Sequence, residues 1–113
     1  MTDPADTLAA QLAPYRETPG IAAALLISRD GFVVAADAEP DFKSEAVAAQ
    51  VAGVIDIGAR LAAEVGRPAA RYISVDFDDL NLLLAPFGRE LMLVLAGSPS
   101  VLSCEYRLIK PDA

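Results

Sequence analysis

Gly20-Ile-Ala-Ala-Ala-Leu-Leu-Ile-Ser28, Arg29-Asp-Gly31 and Phe32-Val-Val-Ala-Ala-Asp37 follow one another without interruption in the 113-residue sequence. Every position from Ile21 to Ile27 is apolar. A strand with one wet face alternates, so this strand is expected to be covered on both faces. Asp-Gly between two apolar runs predicts a hairpin with a type I′ turn, which needs positive φ at both central residues. The stretch therefore reads as two antiparallel strands, the first of them central in a sheet.

Downstream, Ala38-Glu39-Pro40 breaks the chain and Asp41 is the expected N-cap of a helix from Phe42 to Val65, closed by Gly66 and Pro68. Val47, Val51, Val54, Gly58, Leu61 and Val65 form its core stripe, in steps of three and four. Asp56, Arg60 and Glu64 form a charged row on another face. Three strands follow: Arg71–Phe77, which alternates; Leu80–Ala85, apolar except for Asn81; and Leu91–Ala96, apolar throughout. Asp78-Asp79 and Phe87-Gly88-Arg89 are the turns between them. Short helices flank the sheet. One begins at Asp3-Pro4 and places Leu8, Leu12 and Tyr15 on one face. The other begins at Ser98-Pro99, turns Val101, Leu102 and Leu108 inward and ends at Pro111.

Burial patterns order the strands. The first, fourth and fifth are apolar on both sides and belong in the middle; the second and third carry polar positions and belong at the edges. With hairpin neighbours paired, the order is 2-1-5-4-3, antiparallel throughout. The fold class is α+β, an α/β/α layered arrangement with the long helix on one face and the two terminal helices on the other. The whole chain, 1–113, reads as a single domain with its core at about 5–108.

Composition narrows the function. Hydrophobic residues make up 54% and charged residues 22%, so disorder is not expected. No apolar run reaches the roughly 18 residues of a membrane span, and the acidic N-terminus lacks a signal pattern; a cytoplasmic location is expected. The net charge of −7 argues against nucleic acid or an anionic membrane as partner and fits a protein with a basic patch, though solubility alone also accounts for it. Histidine is absent, which excludes Ser-His and Cys-His nucleophiles and His-ligated metal. The lone Cys104 reads as a small semi-buried residue. Asp76-Phe-Asp78-Asp79 is ordinary turn chemistry, and the two Gly loops match neither a P-loop nor a dinucleotide fingerprint. No catalytic residue, cofactor or metal is expected.

What remains is an interaction surface. The third strand, as an edge, contains no Pro, Lys or Gly to block pairing. Arg71, Tyr72, Ile73, Ser74, Val75, Asp76 and Phe77 are therefore candidates for pairing with a second copy across a two-fold axis. The charges of Arg71 and Asp76 are the counter-argument, and Val75→Pro is the substitution expected to obstruct the seam. Beside the helix stripe lie the small residues Ala46, Ala49 and Gly53, with Ile57 next to them. Gly53 and Gly58 each cost about 1 kcal/mol relative to Ala in a helix interior. One is expected to face the sheet and the other a symmetry-related helix, which adds Ala49 and Gly53 to the candidate dimer interface.

The element order, the run Gly20-Ile-Ala-Ala-Ala-Leu-Leu-Ile-Ser-Arg-Asp-Gly31-Phe32-Val33, the helix segment Glu45-Ala-Val-Ala-Ala-Gln50 and the closing strand Leu91-Met-Leu-Val-Leu95 resemble the roadblock / dynein light chain family, and within it the prokaryotic MglB-like branch. The resemblance spans about residues 5 to 108. It implies a homodimer with paired third strands and adjacent long helices, and a regulatory or scaffolding role towards a Ras-like small GTPase. The partner would meet the helices through Lys43, Gln50, Ile57 and Arg60. It also implies stimulation of GTP hydrolysis without an arginine finger, so neither Arg60 nor Arg71 is assigned that role. The short C-terminal helix departs from relatives with a longer one. Two other readings stand beside this one: a structural adaptor without effect on nucleotide turnover, and a small-molecule sensor, for which the aliphatic core faces offer few orienting polar groups.

Overall fold

The computed structural model describes residues 8–102. A helical turn over residues 8–10 and α1 (Ala13–Arg16) lead into β1 (Ile21–Ser28) and β2 (Val33–Ala38). Then come α2 (Ser44–Glu64), β3 (Ile73–Asp76), β4 (Asn81–Phe87), β5 (Leu91–Gly97) and the short α3 (Pro99–Leu102). The sheet order is β2-β1-β5-β4-β3, every neighbouring pair antiparallel, as the burial patterns require.

The sheet separates two apolar layers. On one side Leu12 and Leu102, with Leu8, Tyr15 and Val101, pack on Ala24, Leu26, Leu83, Leu93 and Leu95. On the other, Ala48 and Val51 of α2 pack on Leu25, Ile27, Leu84, Met92 and Val94. Successive residues of β1 thus feed alternate layers, which is why Ile21–Ile27 needs no polar position. Arg16 ties α1 to the β2 edge: its Nε lies 3.2 Å from Asp37 Oδ1, and its Nη1 donates to Ile21 O at 2.8 Å.

Several expectations are corrected. The first turn is not type I′, because among the described residues only glycines have positive φ, and here that is Gly31 at +95°. Gly31 N–H donates to Ser28 O and Ser28 N–H to Phe32 O, so Arg29-Asp30 forms the turn proper and Gly31 closes a three-residue loop. A bulge follows: Ile27 pairs with Val33 but Leu26 with Ala35. Gly31 also lies against α2, where a Cβ would come within 3.0 Å of Ala52 Cβ and 3.1 Å of Ala48 O.

Asp41 does not cap α2. The N-cap is Lys43, without a side-chain cap bond, because the half-buried Phe42 anchors the chain against the core just before the helix starts. Although no membrane-length apolar run was expected, α2 is, by its 21 residues and mean hydropathy of 1.4, long and apolar enough to cross a membrane. It nevertheless packs on the sheet through Ala48, Val51 and Ala62. The expected stripe drifts: Leu61 and Val65 are exposed, and Ala62 is buried in their place.

β3 is shorter than the expected Arg71–Phe77. The register Ile73↔Leu84 would set Arg71 opposite Pro86, which has no N–H to give, so the ladder stops at Ile73. At the other end Phe77 N–H donates to Leu80 O at 2.7 Å within the turn. The expectations for Asp3, Pro4, Cys104, Leu108 and Pro111 lie outside the described residues.

Candidate interaction face

α2 and β3 together form a face with more exposed apolar surface than packing within the chain accounts for. Ile57, Leu61 and Val65 are 64%, 62% and 58% exposed, and Tyr72 and Phe77 also reach solvent. Isolated exposed apolar residues are ordinary; a contiguous group marks an interaction site. Here they are contiguous. A groove of about 500 Å³ runs between the C-terminal half of α2 and the start of β3, lined by Ile57, Gly58, Leu61, Val65, Tyr72 and Ile73 among others. A second, of about 360 Å³, continues between the N-terminal half of α2 and the end of β3, past Ala46, Val47, Gln50, Val75 and Phe77.

The local physics of β3 explains this geometry. Ile73 and Val75 point toward α2 and are half-buried, while Ser74 and Asp76 point to the other face. The Phe77 to Leu80 bond belongs to the same alternating ladder as the Val75↔Leu82 pair. Val75 therefore bonds inward to β4, and the N–H and C=O of Ser74 and Asp76 face out of the sheet. Val75→Pro would break the β3–β4 ladder instead of guarding the edge; Ser74→Pro is the substitution that acts on the outward side.

The remaining candidates fall into two sets. Tyr72, Ile73, Val75, Phe77, Gln50 and Ile57 line the two grooves. Arg71 lies just before β3, its guanidinium 5.5 Å from the Tyr72 ring centroid, a distance suited to cation–π attraction. Lys43 is exposed at the α2 N-terminus. Arg60 reaches Asp56 at 3.1 Å one turn back; both side chains are well exposed, so the pair adds little stability. Ala49 and Gly53 are exposed away from the grooves, and a Cβ on Gly53 would meet nothing within 4 Å. Gly58 instead faces the sheet edge, where a Cβ would lie 3.0 Å from Ile73 Cδ1. Gly58 thus looks inward to the sheet edge and Gly53 outward to open space.

Sequence reasoning missed Asn81. It is fully buried at the β3–β4 seam, and its Nδ2 donates to Ser74 Oγ at 3.0 Å and to Asp76 Oδ1 across the strand pair. Its Oδ1 has no hydrogen-bond partner among the described residues. The available signal was a single Asn in an otherwise apolar strand. That residue braces the two β3 positions whose backbone faces outward.

Comparison with known proteins fits this architecture. Residues 7–96 match the family model for the Roadblock/LC7 domain. No curated protein sequence matches the chain. Among solved structures, the chain is similar to the gliding protein MglB from Thermus thermophilus, with 23% identity and a TM-score of 0.79 over 96% of this chain and 84% of that one. Myxococcus xanthus MglB is similar at 14% identity and TM-score 0.83, covering 97% and 84%. The Roadblock/LC7 domain from Streptomyces avermitilis is similar at 22% identity and TM-score 0.72, covering 87% of each chain.

Proposed function

The chain belongs to the Roadblock/LC7 domain family, and from that membership we propose that it acts as a homodimeric regulator or scaffold of a Ras-like small GTPase. The observation that carries the reading is the apolar face of α2 and β3, where Ile57, Leu61, Val65, Tyr72 and Phe77 are exposed together. In the dimer, β3 pairs with its symmetry mate through Ser74 and Asp76, and the α2 helices lie side by side. One of the similar structures is described as MglB with a tetrameric arrangement, which supports self-association. The outer surface of the paired helices, with Lys43, Gln50, Ile57 and Arg60, is then available to the GTPase. Neither Arg60 nor Arg71 is proposed as an arginine finger; the proposed effect on hydrolysis is a repositioning of the partner's own loops.

The test mixes the chain with a Ras-like GTPase from the same genome, loaded with GDP or with a non-hydrolysable GTP analogue, and follows binding and hydrolysis. The expected result is nucleotide-dependent binding that Ile57→Glu abolishes. Accelerated hydrolysis identifies an activator; binding without acceleration identifies a scaffold. Absence of binding in both nucleotide states overturns the proposal.

A further inference from the structure

The other edge of the sheet has a distinct chemistry. β2 is unpaired on its outer side among the described residues, and it contains no Pro, Lys or Gly. Its orientation follows from one bond: Glu39 N–H donates to Ala22 O at 3.0 Å. Counting back along the antiparallel ladder, Asp37 and Ala35 also bond inward to β1, and the N–H and C=O of Ala36 and Ala38 face outward. Beside this edge, on the α2 side of the sheet, is a groove of about 530 Å³ lined by Val33, Ala36, Phe42 and the first turn of α2. Its rim carries Lys43, which makes no ion pair with a described residue, and Glu45, an acid placed where the helix N-terminus favours one. The opposite side of β2 is closed by the Arg16–Asp37 pair.

We infer that the β2 edge is a docking site for an extended peptide segment of a partner protein, which adds a sixth strand, seats a large apolar side chain in the groove over Ala36 and offers a carboxylate to Lys43. The unpaired backbone groups specify an extended strand, since a helix carries no matching row of donors and acceptors. The groove specifies the side chain. A second copy pairing through β2 would set Ala36 or Ala38, the small α2-side positions of the strand, over the groove, and these are too small to fill it; a Leu or Phe from a partner strand is not. The site is at the opposite edge from β3, and it shares only Lys43 with the surface proposed for the GTPase.

The probe is a library of eight-residue peptides with Thr at odd positions and Leu, Ile, Val, Phe, Asp or Glu at even positions, titrated against the isotope-labelled protein by NMR. Bound members are expected to shift the amide signals of residues 33–38 and to slow hydrogen exchange at Ala36 and Ala38. Methylating the peptide nitrogens that face β2 should weaken binding about tenfold or more, since it removes backbone hydrogen bonds without changing side chains. Ala36→Lys, a guard charge on an already exposed position, should have the same effect while the far-UV spectrum stays unchanged. The inference is overturned if no library member binds below about 1 mM. It is also overturned if the shifts fall on α2 and β3, if methylated peptides bind equally well, or if Ser74→Pro protein self-associates through β2.

Discussion

Gly31 shows how two constraints can meet at one residue. Its φ of +95° disfavours any side chain, and a Cβ would press on Ala52 and on the backbone of α2. Gly31→Ala should therefore destabilise by about 2 kcal/mol or more, from left-handed strain plus overpacking, read as a lower urea midpoint. The place of the turn at Arg29-Asp30-Gly31 was legible in the sequence, but its type was not; nor was the contact with α2, because nothing local to the turn records which helix will pass over it. Asn81 makes the converse point. Asn81→Leu removes a buried amide that is only partly satisfied, yet it leaves Ser74 and Asp76 without their donor, so the β3 amides should exchange faster even where global stability changes little. Tyr15 gives a prediction in pH. Burial raises its pKa above 10.0, so the folded state holds the phenol proton more tightly than the unfolded chain. That contribution is intact below pH 10.0 and is lost as pH rises through the folded pKa. Tyr15→Phe should flatten the alkaline loss of stability relative to the parent, measured by urea unfolding at pH 8 and pH 11.

At the level of elements, the two α2 glycines separate stability from association. Gly53→Ala fills open space and removes a helix cost, so the isolated chain should gain about 0.5–1 kcal/mol. Gly53 faces away from the flank of α2 next to β3, so the same substitution should leave self-association unchanged. Gly58→Ala pushes on Ile73 and should gain less. Thermal unfolding and sedimentation of both variants check the contrast; weaker association in Gly53→Ala than in Gly58→Ala would contradict it. The strand order was legible because alternation and continuous apolarity report directly on how many faces a strand buries. The ends of β3 and α2 were not. β3 stops where it does because of Pro86, fifteen residues after Arg71 and opposite it only once the register is set. Leu61 and Val65 satisfy a helical stripe as well as Ala62 does; only the short β3 leaves their flank of α2 without cover.

For the molecule as a whole, the uncovered flank of α2 predicts that self-association and stability are coupled. An assembly that buries Leu61 and Val65 stabilises the fold by mass action, so the melting temperature should rise with protein concentration. Leu61→Glu should abolish that dependence while changing the dilute-limit melting temperature little, because Leu61 is 62% exposed. A melting temperature independent of concentration in the parent would contradict the coupling. Pro86 has a consequence at this scale too. Beyond Ile73 no described strand residue pairs with the outer side of β4, and the position that would receive the next rung is the one that cannot donate. A strand joining at β3 can therefore match its four residues but cannot slide on along β4. The sheet carries its own stop, which limits the seam to a short fixed register and denies growing β-aggregates a track to extend along.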